Sequence, residues 1–315
     1  MQHIIILGAN SFIAQQFIRL NSIAFQYHLV TSTGLRLPPS MNHSVYTYNN
    51  ADLTKLIERC RGNKVGMLNC AYDGAQPFAN KKILSCFIRL AQAIKPQCSL
   101  HLSTISVLDG KEGAVKILDV ASPASYYGRL KLLIDKKLIA TKIPGLKILR
   151  VPNVLGSGGN WDAFLNRLRS VKTAYLPSSG AKTGVFIQVE HLVDYIATLL
   201  RSDKEPFDQP MVLSVPAERC VFATWREIFL MANLQITIVE ATNKKYSDST
   251  IKNLILTLLS AKPTVSLLFA SRGLSNLAGR FLGGQANASA QLPEILHVDN
   301  TVRLTQSVNF VNDAV

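Results

Sequence analysis

The stretch "IIILGANSFIA", residues 4–14, joins an apolar run to a glycine and then to an amphipathic segment. Four consecutive apolar residues, 4–7, are typical of a strand buried on both faces, as in a parallel sheet. Gly8 follows, and the polar Asn10 and Ser11 precede the start of helical periodicity. A strand, a glycine turn and a helix N-terminus form the arrangement at which a dinucleotide pyrophosphate binds.

The same order of elements continues through the first half of the chain. Apolar runs such as "YHLVTS", "VGMLNCA", "SLHLSTISV" and "LKILRV" are separated by helical patterns such as "KKILSCFIRLAQAI". This alternation predicts an α/β protein with a Rossmann-type doubly wound parallel sheet. Residues 1–155 with 185–216 are expected to form the dinucleotide-binding domain. Residues 156–184 with 217–315 are expected to form a smaller, mostly helical substrate-binding lobe.

Composition indicates a globular chain with a basic surface. The 315 residues are 48% hydrophobic, and 34 Lys and Arg face 20 Asp and Glu, for a net charge of +14. That charge favours anionic partners or is simply a solvated surface. No nucleic-acid-binding signature is present, so nucleic acid is not an expected partner. The five cysteines lack C-x-x-C spacing, and the start lacks a signal peptide, so we expect no metal site and a reducing, cytoplasmic location.

A basic segment spans residues 241–290, with six cations against one acid, Asp248. It is amphipathic and suits peripheral contact with a membrane or binding of a diphosphate. Ordinary core helices of the substrate lobe with solvated lysines are the more common explanation of such a pattern. Lys262 and Pro263 interrupt its apolar run, which is too short to span a bilayer.

Five short motifs occur in a fixed order: "GANSFIA", "ADLTKL", "LSTISV", "YGRLK" and "LRVPNVLG". In this order the chain resembles the extended short-chain dehydrogenase/reductase family, the NAD-dependent epimerases and dehydratases, from residue 1 to about 200. The resemblance implies an NAD(P)-dependent enzyme acting on a nucleotide-linked sugar. It also implies a homodimer formed through the "KKILSCFIRLAQAI" and Tyr127 helices.

Tyr127 and Lys131 lie one helical turn apart in "YYGRLK". Hydride transfer at a carbinol carbon requires a group that takes or gives the proton of its oxygen. A tyrosine can do this when a nearby positive charge favours its phenolate, and Lys131 supplies that charge from the same helical face. The resemblance assigns catalysis to Tyr127, Lys131 and Thr104, with Thr104 holding the substrate oxygen.

The residues after Thr104 restrict the reaction. Family dehydratases carry Asp-Glu at this point, whereas this chain has Ile105 and Ser106, which cannot supply paired carboxyl chemistry. Dehydration is therefore disfavoured, and a nucleotide-sugar ketoreductase is favoured. The alternatives are a C4 epimerase with retained NAD, a non-catalytic NAD(P)-binding sensor, and a membrane-surface enzyme with a lipid-linked substrate.

The residue at the end of the second strand predicts which cofactor is used. NAD enzymes usually place a carboxylate there, but this chain has Ser32, Thr33 and then Arg36, which suit a 2′-phosphate. NADP is therefore favoured over NAD. The resemblance assigns further cofactor contacts to Tyr127 and Lys131 and to Gly8, Asn10, Ser11, Phe12, Ile13, Asp52, Leu53, Cys70, Ala71 and Pro152.

The resemblance also assigns substrate contacts. Asn153 matches an asparagine that contacts the nucleotide sugar. Gly184 stands where an arginine of UDP-sugar epimerases holds the diphosphate, and Lys182 is the nearest replacement. His191 stands at the usual aspartate of the following helix, where a structural role is the more common one.

Overall fold

The computed structural model describes residues 2–35, 43–109, 121–169, 173–176, 183–201, 209–240, 262–276 and 295–297. The chain divides into two compact units. Unit 1 contains Met1–Thr104, Lys131–Val151 and Val189–Val215, and unit 2 contains Ile105–Leu130, Pro152–Gln188 and Pro216–Val315.

The described residues form the following elements. The strands are β1 (Gln2–Leu7), β2 (Phe25–Val30), β3 (His43–Tyr46), β4 (Val65–Asn69), β5 (Cys98–Thr104), β6 (Leu146–Val151), β7 (Asn153–Leu155), β8 (Thr173–Leu176), β9 (Thr183–Gln188), β10 (Met211–Ser214), β11 (Val221–Thr224), β12 (Thr237–Glu240) and β13 (Ile295–His297). The helices are α1 (Phe12–Leu20), α2 (Asn50–Cys60), α3 (Ala79–Ile94), α4 (Tyr126–Ala140), α5 (Asn160–Leu168), α6 (Val189–Arg201), α7 (Trp225–Met231) and α8 (Lys262–Ala270).

Unit 1 is built on a seven-stranded sheet in the order β10-β6-β5-β4-β1-β2-β3. Its neighbouring strands all pair in parallel. Ile4, Ile5, Ile6 and Leu7 are fully buried, as a strand covered on both faces requires. The predicted doubly wound parallel sheet is confirmed. The strand order reverses beside β1, and in such sheets the crevice at this switch point is where ligands bind.

Local sequence determines where the first helices begin. Ser11 is the N-cap of α1, and its side chain accepts a hydrogen bond from the Ala14 amide. Asn49 is the N-cap of α2 in the same way, accepting from the Asp52 amide. Short polar side chains satisfy backbone N–H groups that have no partner inside the helix. Both helices therefore begin directly after the loops that follow β1 and β3.

Unit 2 contains two three-stranded sheets. β9 pairs in parallel with β7 and antiparallel with β11, whereas β8 pairs in parallel with β12 and β13. Residues 185–188, which the sequence analysis groups with the Rossmann domain, lie in β9 of unit 2. The physical reason is aromatic packing, because Phe186 is 1% exposed and its ring contacts Trp161 at 5.2 Å between centroids.

Some predicted features fall outside the described residues. These are Arg36, Lys182 and most of the basic segment 241–290. Its described part includes α8, in which Val265, Leu268 and Phe269 are buried. Within the described ranges, no helix combines the length and the apolar character needed to cross a bilayer.

Candidate functional site

A cavity of about 470 Å³ lies in unit 1 at the carboxyl ends of β1, β2, β3 and β4. This is the edge of a parallel sheet at which ligands bind, and its position agrees with the strand order. The cavity includes seven residues predicted as cofactor contacts: Gly8, Asn10, Ser11, Ser32, Thr33, Cys70 and Ala71. It is also lined by Thr31, Thr47, Tyr48, Asn49, Tyr72, Asp73, Ala79, Lys82 and Ile83.

Gly8 allows two strand ends to approach each other in the cavity floor. Its φ is +77°, and a Cβ added there would lie 2.6 Å from both the amide nitrogen and the Cα of Ala71. Its own amide donates to the Val30 carbonyl at 3.0 Å. Only glycine fits such a close approach at positive φ. The end of β1 therefore leads directly to the N-terminus of α1, where a pyrophosphate would meet N–H groups that have no partner inside the helix.

The polar residues at the end of β2 are tied to Asn10. The side-chain nitrogen of Asn10, Nδ2, donates hydrogen bonds to a group of three acceptors. It lies 3.1 Å from Thr31 Oγ1, 2.9 Å from Thr33 Oγ1 and 2.9 Å from the Gly34 carbonyl. Ser32 and Thr33 are exposed on the same loop. The Thr33 hydroxyl therefore serves first to shape the loop.

Asp52 and Leu53 do not line the cavity. Asp52 Oδ2 accepts hydrogen bonds from the Thr47 amide and hydroxyl, both at 2.9 Å, and these bonds lower the pKa of its carboxyl. Leu53 is 1% exposed and belongs to the core. The residues that do reach the cavity here are Thr47, Tyr48 and Asn49, which the sequence analysis missed. Their position directly after β3 is a usable signal, because ligands bind where parallel strands end.

Cys70 and Ala71 follow β4 and form another wall. Burial raises the pKa of the Cys70 thiol to about 12, although a hydrogen bond involving Ser11 acts in the opposite direction. A thiol in this state stays protonated at neutral pH and is a poor nucleophile. Cys70 is therefore a packing and lining residue.

Lys131 lies beside this wall on α4. It is 5% exposed, its Nζ donates to the Leu102 carbonyl at 2.9 Å, and the same atom lies 4.5 Å from the centroid of the Tyr72 ring. Burial lowers the pKa of Lys131 to about 8, while Asp135 and Cys70 raise it. The ammonium is thus held in place next to a residue that lines the cavity, and it remains mostly charged at neutral pH.

Tyr127 lies on the first turn of α4, four residues before Lys131, and is 40% exposed. The start of α4 belongs to unit 2, where a Cβ added at Gly128 would meet the Ser106 carbonyl. Ser125 supports this turn, because its hydroxyl accepts from the Gly128 amide at 3.1 Å and donates to Asp109 at 2.6 Å. These contacts fix the part of the helix that carries Tyr127.

Thr104 ends β5 in unit 1 and is 7% exposed. The next residue, Ile105, begins a short 3-10 helix over Ile105–Leu108 in unit 2 and is 9% exposed. Phe12 and Ile13, predicted to contact the cofactor, lie on the first turn of α1 and do not line the cavity. Pro152 is buried between β6 and β7.

The predicted substrate residue Asn153 and the neighbouring Gly184, both in unit 2, have structural contacts, and His191 lies in unit 1. The Asn153 side chain donates to the Val185 carbonyl at 3.1 Å and so joins β7 to β9. A Cβ added at Gly184 would lie 2.9 Å from the Phe186 ring, so an arginine would not fit without movement of that ring. His191 is exposed in the first turn of α6. The missing arginine therefore has a packing explanation.

One group in the described residues has metal-ligand character. His3, His28 and Cys60 place their ligand atoms within 4.8 Å of one another. His3 Nδ1 and His28 Nε2 already share a hydrogen bond at 3.0 Å, and burial lowers the pKa of both imidazoles, with the charge of Arg59 acting in the same direction. A neighbouring cation opposes metal binding, so the half-buried His3 and the buried His28 are best understood as a hydrogen-bonded pair beside a thiol.

Comparisons with known proteins give solved structures only. No family model matches the chain, and no curated protein does. A dTDP-glucose 4,6-dehydratase from Bacillus anthracis in complex with NAD is 16% identical, with a TM-score of 0.60 over 91% of this chain and 98% of the other. A UDP-glucuronic acid 4-epimerase from Bacillus cereus in complex with NAD is 17% identical, with a TM-score of 0.59 over 85% of this chain and 99% of the other.

A third structure, MoeE5 in complex with UDP-glucose and NAD, is 16% identical, with a TM-score of 0.56 over 91% of this chain and all of the other. The chain has the fold of the extended short-chain dehydrogenases/reductases. The resemblance stated from the motifs is confirmed at the level of the fold.

The expected preference for NADP is wrong. The three structures named above are complexes with NAD. The expectation rested on the hydroxyls of Ser32 and Thr33, and the structure adds that Thr33 Oγ1 accepts a hydrogen bond from the Asn10 side chain, which fixes its loop. Arg36, the third residue of that argument, lies outside the described ranges.

Proposed function

We propose that the chain is an NAD-dependent oxidoreductase that transfers hydride at a hydroxyl-bearing carbon of a nucleotide-linked sugar. The observation that carries the proposal is the buried Lys131, one helical turn after Tyr127 and in contact with Tyr72 of the cavity wall. A buried ammonium is costly, so a chain that keeps one beside a ligand cavity is a candidate for a functional site.

The cavity fits a dinucleotide. Gly8 lets the end of β1 pack against Ala71 in the cavity wall, and α1 begins after the cavity-lining Ser11, so a helix N-terminus that can bind a pyrophosphate lies at the cavity. Asn10 holds the loop after β2, and Thr47 and Asn49 extend the polar lining. Bound NAD would accept hydride from the sugar carbon and could return it. The substrate class comes from the similar structures, of which MoeE5 is a complex with UDP-glucose.

In this proposal, Tyr127 takes the proton from the sugar hydroxyl as hydride leaves, and gives it back in the reverse step. The charge of Lys131 favours the phenolate form of the tyrosine. The Thr104 hydroxyl at the end of β5 would hold the sugar oxygen. Pro152, Asn153 and Lys182 stay predictions for the nicotinamide and substrate contacts.

Epimerisation with retained NAD is favoured over net reduction. The ketoreductase hypothesis depended on an exchangeable NADPH, and the NAD complexes of the similar structures remove that support. Dehydration stays disfavoured, because Ile105 and Ser106 supply no carboxyl pair. The homodimer through α3 and α4 stays a prediction that light scattering of the purified chain can test.

Tyr127→Phe tests the proposal, and the adjacent Tyr126→Phe is the matched control because its side chain points about 100° away around the helix. We expect Tyr127→Phe to lower kcat by roughly 10²–10⁴-fold, the usual contribution of general acid–base catalysis. NAD affinity, measured by calorimetry, should stay within a few-fold of the original value. Tyr126→Phe should retain most of the turnover.

Product mass identifies the reaction among UDP- and dTDP-sugars. Reduction adds two hydrogens, epimerisation leaves the mass unchanged, and dehydration removes one water. Full activity in Tyr127→Phe, or robust loss of water, would refute the proposal. NAD binding without turnover of any sugar would instead favour the sensor hypothesis.

A further inference from the structure

A buried polar cluster lies around Asp135 in unit 1. Asp135 follows Lys131 by one turn on α4 and is 3% exposed, and Arg150 on β6 is 7% exposed. The Ser103 hydroxyl donates to Asp135 Oδ2 at 2.6 Å. The charge of Asp135 acts on both Lys131 and Arg150. One buried carboxylate therefore faces two buried cations.

His101 is oriented by a chain of hydrogen bonds that starts at the cavity wall. The Ala71 amide donates to Asn69 Oδ1 at 3.1 Å, which identifies the other side-chain atom, Nδ2, as the donor to His101 Nδ1 at 3.0 Å. His101 Nδ1 is then an acceptor, so the proton of the neutral ring is on Nε2. That N–H lies 3.7 Å from Asp135 Oδ1. In the described chain neither His101 Nε2 nor Asp135 Oδ1 has a hydrogen-bond partner, and their separation is too long for a hydrogen bond between them.

We propose that Asp135 is a positioning residue that acts through Lys131, keeping the buried ammonium charged, with the Ser103 hydroxyl holding the carboxylate in place. The catalytic meaning of this pair rests on the proposed function, whereas the pair itself does not. A neutral Lys131 would keep its place in the core but could no longer favour a phenolate at Tyr127.

The titration of the neighbouring groups is consistent with this role. Burial raises the pKa of Asp135 to about 6, while the Ser103 hydrogen bond, Lys131 and Arg150 lower it. Burial, and then the charge of Lys131, lower the pKa of His101 well below its usual value, so the ring is a neutral donor. The Cys70 thiol also faces Lys131 and is protonated at neutral pH. Carboxylate and ammonium therefore coexist chiefly between about pH 6 and 8.

Asp135→Asn removes the charge with little change of shape and leaves an acceptor for Ser103. We expect the titration midpoint of Lys131, followed through its ¹³Cε signal by NMR and assigned with Lys131→Arg, to fall by at least about one pH unit, since an opposite charge at close range shifts a pKa by one to three units. The alkaline limb of the kcat profile should move to lower pH by the same amount. Asp194→Asn, on the exposed face of α6, removes an equal charge and should move neither.

A second measurement needs no variant and covers the case in which Asp135→Asn does not fold. In the unaltered chain, the Lys131 ¹³Cε signal should show an inflection in the pH range where the Asp135 ¹³Cγ signal titrates, because coupled groups report each other's ionisation. A Lys131 signal that ignores the Asp135 titration overturns the proposal. So does an unchanged Lys131 midpoint in folded Asp135→Asn, or an equal shift in Asp194→Asn.

These outcomes are separate from the failure of the proposed function. Both NMR measurements use the protein without substrate, so they succeed or fail whatever the reaction is. If the Lys131 midpoint falls in Asp135→Asn while the unaltered chain turns over no sugar with NAD, the charge coupling of Asp135 to Lys131 is supported and the enzymatic proposal is refuted.

Discussion

Replacing Gly8 by alanine should damage both stability and cofactor binding. At φ +77° an alanine costs about 1–2 kcal/mol in backbone strain. Its Cβ would lie 2.6 Å from the Ala71 backbone, about 1 Å inside normal contact distance. That backbone cannot retreat easily, because β1 and β4 are paired in parallel and the Cys70 amide donates to the Leu7 carbonyl at 2.9 Å. Overpacking of this kind costs a further 1–3 kcal/mol, so the total is about 2–5 kcal/mol.

Gly62→Ala is the matched control. Gly62 has φ +75°, and an added Cβ would find no heavy atom within 4 Å. This variant should carry only the backbone strain of about 1–2 kcal/mol. The difference between the two variants, about 1–3 kcal/mol, therefore measures the close approach of Gly8 to Ala71.

Urea unfolding monitored by circular dichroism gives the two free energies of unfolding, and calorimetry gives the dissociation constants for NAD. We expect Gly8→Ala to weaken NAD binding by at least about tenfold, or ~1.4 kcal/mol, because the added methyl group pushes the wall of the cavity. Gly62→Ala should bind NAD normally. Equal losses of stability in the two variants, or unchanged NAD affinity in Gly8→Ala, would refute the assignment of this turn to the cofactor.

Two further predictions concern stability. Burial, and then the charges of His3 and Arg59, lower the pKa of His28 to about 4. The folded state therefore binds fewer protons than the unfolded state. The contribution of His28 to stability is present above pH 6.5 and is lost as the pH falls toward 4. The difference in free energy of unfolding between the unaltered chain and His28→Gln should change by on the order of 2–3 kcal/mol across that window, and a constant difference would contradict it. Thr224 caps α7 and its amide donates to Glu227, so Thr224→Ala should cost about 1 kcal/mol in urea unfolding. Thr198→Ala, on the exposed face of α6, should change stability by less than about 0.5 kcal/mol, and equal losses would contradict the capping role.

The parallel sheet was predictable because its strands and helices carry local signals. Continuous apolar runs such as residues 4–7 are buried in β1, and the polar Ser11 caps the helix that follows. The unit to which residues 185–188 belong was not predictable in the same way. "TGVFIQ" reads as an ordinary buried strand, and only its pairing with β7 and β11 places it in the second unit. Strand partners are long-range contacts that no short stretch of sequence encodes.

The candidate site was predictable where one residue type is required by backbone geometry or chemistry. Gly8 is required by the approach of Ala71, and a lysine one turn after a tyrosine is visible in the sequence. Asp135 and His101 were missed because each is unremarkable within its own segment. Their partnership appears only when β5 packs beneath α4.

The wrong choice of cofactor has the same physical origin. How a loop presents its hydroxyls to a ligand depends on the contacts that hold the loop, and these can come from residues distant in sequence. Ser32 and Thr33 looked like phosphate ligands because sequence shows their hydroxyls but not their partners. Asn10, twenty-three residues before Thr33, donates to the Thr33 hydroxyl and to the Gly34 carbonyl. The side-chain amide of Asn10, which the motif assigned to the cofactor, thus organises the loop after β2. Asn10→Ala should therefore loosen that loop and weaken NAD binding without affecting the titration of Lys131.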